Sequence, residues 1–196
     1  MSRTSFELET LAGIRVFRLV SDDGTNRLTR DFVLSLKATI LELLRGVAPL
    51  VITGNDRFFS AGADLREIAE LDGPLGFEFS QIGQTLMTVI ENFPAPVYAA
   101  ISGYCMGGGL DLVLACHHRI ASPHATFAHR GAALGLITGW GGTQRLPRLI
   151  GKARALEMFV AAEKVSAPKA LQLGLVDAVA ADPVAATIRR IQARPA

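Results

Sequence analysis

Two glycine-punctuated segments govern what this chain can become. Phe59-Ser60-Ala61-Gly62-Ala63-Asp64-Leu65 and Gly103-Tyr104-Cys105-Met106-Gly107-Gly108-Gly109-Leu110-Asp111 each follow a β-branched apolar run and precede a helical pattern. A strand that passes through small residues into a helix leaves the first backbone N–H groups unpaired and points a partial positive charge outward. Such a turn suits an anion. Two of them in one domain can aim two N–H groups at one oxygen, the arrangement that stabilises an enolate or a tetrahedral oxyanion.

With 196 residues, 49% hydrophobic and 19% charged, the chain can bury one sizeable core and is short for two domains. Its net charge of +2 comes without a lysine or arginine block, so no nucleic-acid footprint is expected. Acidic residues interrupt the start at Phe6-Glu7-Leu8-Glu9, which argues against a secretory signal and makes the cytoplasm the expected compartment. The apolar stretch from Pro96 to Cys116 holds Asp111 and a glycine cluster and opens like a strand, so a buried strand and helix is expected and no membrane span. Cys105 and Cys116 lie on apolar segments and read as free thiols.

Alternation on both sides of Ala12-Gly13 predicts a hairpin, and Thr29 is placed to cap a helix with Val33, Leu36, Ile40, Leu43 and Leu44 on its apolar face. Leu50-Val51-Ile52-Thr53-Gly54 predicts a buried strand, followed by a helix from about Leu75 to Phe93 that Pro94-Ala95-Pro96 ends. Short strands are expected at His118–Ala121 and Thr126-Phe127. Helices are expected at 144–150, 153–162 and 168–173, a closing strand at 175–179 and a last helix at 183–192. Strands alternating with helices imply an α/β fold.

Taken together, Thr53-Gly54, the segment Phe59 to Leu65, Ser102-Gly103-Tyr104 with Gly107-Gly108-Gly109, Gly141-Gly142-Thr143-Gln144-Arg145-Leu146, Gly151-Lys152-Ala153-Arg154-Ala155 and Gly174-Leu175-Val176 resemble the crotonase superfamily, the enoyl-CoA hydratase/isomerase family. The resemblance implies a spiral of stacked β-β-α turns, with a C-terminal helical region that is short or lacking here. It divides the chain into a 1–180 acyl-CoA-binding core and a short helix or tail at 181–196. It implies a homotrimer or hexamer, a coenzyme A thioester as substrate, and neither metal nor nicotinamide. By the same resemblance the N–H groups of Ala63 and Gly108 hold the thioester oxygen, and Ala61, Asp64 and Leu65 contact the coenzyme. Tyr104, Thr138 and Gly139 fall near the thioester end. The residues alone leave other roles open: Asp64 as a helix cap, Tyr104 and Trp140 as packing.

Hydratases of this family place two glutamates across the thioester. The matching positions here are Asp111 and Gly131, and glycine transfers no proton. Aspartate is a methylene shorter than glutamate, and a displacement of about 1 Å can cost on the order of a hundredfold in rate. Isomerisation or other proton transfer by Asp111 is therefore expected ahead of hydration, with His129 as a second titratable group if strand alternation turns positions 129 and 131 to one side. The alternatives are a catalytically weak acyl-CoA-binding or regulatory homologue, or a structural role for His129. A related-fold serine peptidase would need a nucleophile at the second turn, which Gly107 and Gly108 do not supply. The spacings of His117, His118, His124 and His129 match no common metal pattern.

Overall fold

The computed structural model describes residues 3–193. It opens with the expected hairpin, β1 (Thr4–Leu11) pairing antiparallel with β2 (Ile14–Ser21). Ala12 and Gly13 both take positive φ, 51° and 80°, as a two-residue loop between twisted strands requires. After β3 (Arg27–Leu28), the Thr29 side chain accepts a hydrogen bond from Phe32 N and caps α1 (Arg30–Glu42). Val33, Leu36 and Ile40 are buried. Leu44 departs from the expected face and is exposed, because the chain tightens into a 3-10 turn at Leu43–Arg45.

From there one plan recurs. β4 (Leu50–Thr53) joins a six-stranded sheet, β5 (Phe58–Ser60) joins a four-stranded sheet, and after the short β6 (Gly62–Ala63) the helices α2 (Leu65–Ala69) and α3 (Gly73–Glu91) complete the turn. β7 (Val97–Ile101), β8 (Tyr104–Met106) and α4 (Gly108–Ala115) repeat it. So do β9 (His118–Ala121), β10 (Thr126–Ala128) and the pair α5 (Gly142–Ile150) and α6 (Lys152–Ala161). The chain then runs through β11 (Val165–Ser166), α7 (Ala167–Leu173), β12 (Ala178–Val179) and α8 (Pro183–Gln192). The large sheet has the order β1-β2-β4-β7-β9-β12 and the smaller one β11-β10-β8-β5. Neighbours across repeats are parallel and are joined by crossover connections rather than hairpins.

β7 shows how sequence becomes layers. All five of its residues are buried, so both faces of the strand are covered. Val97, Ala99 and Ile101 face the main core with α1, α3 and α4, while Tyr98 and Ala100 face a smaller cluster that Val184, Ile188 and Ile191 of α8 close. Cys105 and Cys116 are free and buried.

The expected strand at 175–179 is shorter than its apolar pattern suggests. The N–H groups of Leu175 and Val176 turn back to Ala170 O at 2.8 and 3.4 Å, closing α7 around left-handed Gly174, so only Ala178 and Val179 remain to pair with β9. Within the expected 181–196 segment, α8 is in place, and residues 194–196 lie outside the described residues. Among the described residues, no helix is long and apolar enough to cross a membrane.

Candidate active site

The two glycine-rich turns belong to successive repeats, and the fold stacks one on the other. Gly62 takes φ +91°, and a Cβ there would stand 2.6 Å from Met106 O and 3.0 Å from Gly108 N. No side chain fits between the turns. Gly108 opens α4, so its N–H has no acceptor within the helix. A Cβ on Gly108 would lie 3.3 Å from Ala63 N and would strike the Trp140 ring at 2.6 Å. The Ala63 and Gly108 backbones therefore sit side by side on the wall of a cavity of about 1030 Å³.

Asp111 lies one helical turn beyond Gly108, with its N–H donating to Gly107 O, and this turns its side chain to the same cavity. Its carboxyl group is buried and takes a short hydrogen bond at Oδ2 from the Thr138 hydroxyl. His129 Nε2 stands 3.3 Å from Oδ1, the two facing each other without an aligned hydrogen bond. Neither atom has another partner among the described residues. Burial pushes the Asp111 carboxyl up to about 7, against opposing pulls from the Thr138 hydroxyl, the Arg145 charge and the Gly142 N–H. Burial likewise pushes the His129 imidazole down to about 4. Desolvation thus favours the neutral form of both groups.

His129 reaches Asp111 for a different reason than strand alternation. β10 ends at Ala128, and Gly131 opens a 3-10 turn that runs to Leu134, so positions 129 and 131 share no strand. His129 instead leaves the end of β10, which is paired with β8, the strand leading into α4, and its ring packs on Phe159 of α6. Gly131 does line the cavity, but a Cβ there would stand 2.7 Å from Leu136 O. Leu136 N donates to Gly131 O at 2.9 Å and holds that carbonyl-lined turn shut.

Ala61, Leu65, Thr138 and Gly139 all line the cavity as well. Two nominated residues do not. Asp64 turns away to cap α2, accepting from Arg66 N at 3.0 Å and pairing with the Arg66 guanidinium at 2.7 Å, which holds its carboxyl below the usual range. Tyr104 points outward from β8, beside Phe58 and under the Lys164 ammonium, and is 40% exposed. The family resemblance suggested a site role for it, whereas the strand face decides the direction of its ring.

Sequence reading also left much of the cavity wall unassigned. Trp140 is buried, donates from Nε1 to Phe79 O at 3.3 Å and lays its ring over Gly108. Phe159, Leu156 and Val160 of α6 and Ile137 of the preceding loop face the same space. The open helical spacing of Leu156 and Val160, apolar residues on a helix's solvent side, was the available signal.

The sequence model of the enoyl-CoA hydratase/isomerase family matches residues 9–193. A protein of Bacillus subtilis (strain 168) described as a probable enoyl-CoA hydratase is 48% identical over 138 residues, 70% of this chain and 54% of that protein. The chain thus spans little more than half the length of that relative. A crotonyl-CoA hydratase of Syntrophomonas wolfei is 35% identical over 91% of this chain and 70% of its own length. The crystal structure of an enoyl-CoA hydratase from Bacillus anthracis superposes with a TM-score of 0.90 and 31% identity, covering 95% of this chain and 75% of that one. With its β-β-α spiral shared and the family pattern running through nearly its whole length, this chain belongs to the enoyl-CoA hydratase/isomerase family.

Proposed function

We propose that the protein processes an acyl-CoA thioester by proton transfer at the carbon next to the thioester carbonyl. The N–H groups of Ala63 and Gly108 receive the carbonyl oxygen, and Asp111, as carboxylate, takes the proton. The C–H electron pair then moves into the enolate, whose negative oxygen the two N–H groups stabilise. Asp111, now protonated, returns the proton at the α-carbon or at the γ-carbon of an unsaturated chain, the second route shifting the double bond. His129, 3.3 Å from Oδ1 and held neutral by burial, is the titratable group beside that carboxyl. No oxidant, nicotinamide or metal enters this balance.

The observation that carries the reading is the meeting of Asp111, His129 and the two stacked turns on one cavity wall. Gly131 favours double-bond migration over hydration, because it supplies no second acid and has no room for one. Ala61 and Leu65 line the same cavity, and by the family resemblance they contact the coenzyme. Assembly as a homotrimer or hexamer completes the proposal by analogy with the family.

The test is to supply crotonyl-CoA and a 3-enoyl-CoA and follow hydration and isomerisation separately, with Asp111→Asn alongside. Isomerisation that disappears in the variant supports the proposal, and full activity in the variant removes Asp111 from it. A second reading, an acyl-CoA-binding homologue with weak catalysis, is favoured by the burial that keeps Asp111 protonated up to about pH 7. Firm thioester binding without α-proton exchange even at pH 8 would select that reading.

A further inference from the structure

One side chain donates a hydrogen bond to Asp111. Thr138 Oγ1 donates to Oδ2, while Oδ1 faces His129 Nε2 and has no hydrogen-bond partner among the described residues. The threonine arrives from the loop between the 3-10 turn at Gly131–Leu134 and α5, an element distinct from the one that carries Asp111. A hydroxyl can donate only one proton, and a carboxyl oxygen that accepts it is the less basic of the two. We infer that Thr138 is a positioning residue: its hydroxyl fixes the rotation of the Asp111 carboxyl group, so that Oδ1, and not Oδ2, is the oxygen that exchanges protons with the substrate. This rests on the proposed role of Asp111 as the base and assigns to Thr138 a task other than substrate contact.

Several groups face Asp111 and share control of its ionisation. His129 follows β10, Gly142 N–H and Arg145 come from α5, and the Cys105 thiol on β8 feels the Asp111 charge. Of these, Arg145 is committed to Glu91, at 2.7 Å, and to Trp140 O. The Cys105 thiol is held neutral by burial. Thr138 is thus the side chain that donates directly to the carboxyl group, and its removal has a defined sign. Without it the carboxylate loses a stabilising donor, so ionisation moves to higher pH.

The experiment labels the aspartate carboxyl carbons with carbon-13 and follows the Asp111 resonance, assigned by its loss in Asp111→Asn, from pH 5 to pH 9. Thr138→Val keeps the shape and removes the donor, Thr138→Ser keeps the donor, and Thr138→Ala serves if the valine variant unfolds. The expected result is a midpoint raised by about one pH unit in the valine or alanine variant and restored by serine, since a hydrogen bond to a charged group contributes on that order. The acid limb of α-proton exchange on butyryl-CoA should move by the same amount with KM nearly unchanged. An unmoved carbon-13 midpoint in a folded valine or alanine variant overturns the inference, even if Asp111→Asn has abolished activity. Activity retained by Asp111→Asn would instead sink the role of Asp111, and the carbon-13 titration would still report on Thr138.

Discussion

His129 Nε2 and Asp111 Oδ1 stand 3.3 Å apart, with both side chains almost wholly withdrawn from water. The pair costs stability in opposite pH directions. Asp111, raised in the fold to about 7, contributes stability that is complete below its unfolded value and is lost as pH rises through 7. His129, depressed in the fold to about 4, contributes stability that is present above its unfolded value and is lost as pH falls through 4.

Between about pH 4 and 6.5 these contributions oppose each other, so the wild-type urea midpoint should vary little. His129→Gln leaves the aspartate alone, and its midpoint should fall as pH rises across that window. Asp111→Asn leaves the histidine alone, and its midpoint should rise. Parallel slopes in the two variants would contradict the opposed titrations.

Adding an acid at position 131 should not create a hydratase. A Cβ there meets Leu136 O, so Gly131→Glu must move the backbone of the following turn. The expected outcome is a loss of about 1–3 kcal/mol in urea unfolding, typical of overpacking, with no gain in crotonyl-CoA hydration. A tenfold faster hydration at unchanged stability would refute this account.

Gly108→Ala should be damaging through Trp140. The added methyl strikes the indole ring, so the variant should lose about a hundredfold or more in α-proton exchange if the Gly108 N–H is displaced. Trp140→Leu relieves that contact, and the double variant should recover part of the loss. Strictly additive effects in this double-mutant cycle would mean the two positions do not communicate.

Arg119 offers a test remote from the cavity. Its Nε donates to Leu175 O at 3.0 Å and its Nη1 to Cys116 O at 2.5 Å, tying the α7–β12 corner to the end of α4. Arg119→Met leaves two carbonyl groups without these donors and should cost about 2–4 kcal/mol by urea unfolding. Affinity for butyryl-CoA, measured on the folded variant, should be unchanged.

What the sequence made legible follows from the range of the forces involved. The hairpin at Ala12-Gly13, the Thr29 cap and the stop at Pro94 are decided by neighbouring residues, and local chemistry is enough to place them. The stacked turns were legible because glycine marks close backbone approach wherever it is demanded. Tyr104 was misplaced because its direction depends on which sheet receives β8, and that is settled by β5 and β10. The closure of the Gly131 turn depends on Leu136 folding back, and nothing in a glycine's own identity announces what occupies the space beside it.

The stacking of Gly62 on Gly108 has a consequence for how this scaffold can diversify. In the proposed reading the grip on the thioester is main chain, fixed by successive rungs of the spiral, whereas the reacting groups at 111 and 129 and the positioning hydroxyl at 138 are side chains projected from three separate segments. Holding and transforming are therefore independently editable. A laboratory seeking new reactions from this scaffold can randomise those three positions together and leave the anchoring of its reagent untouched.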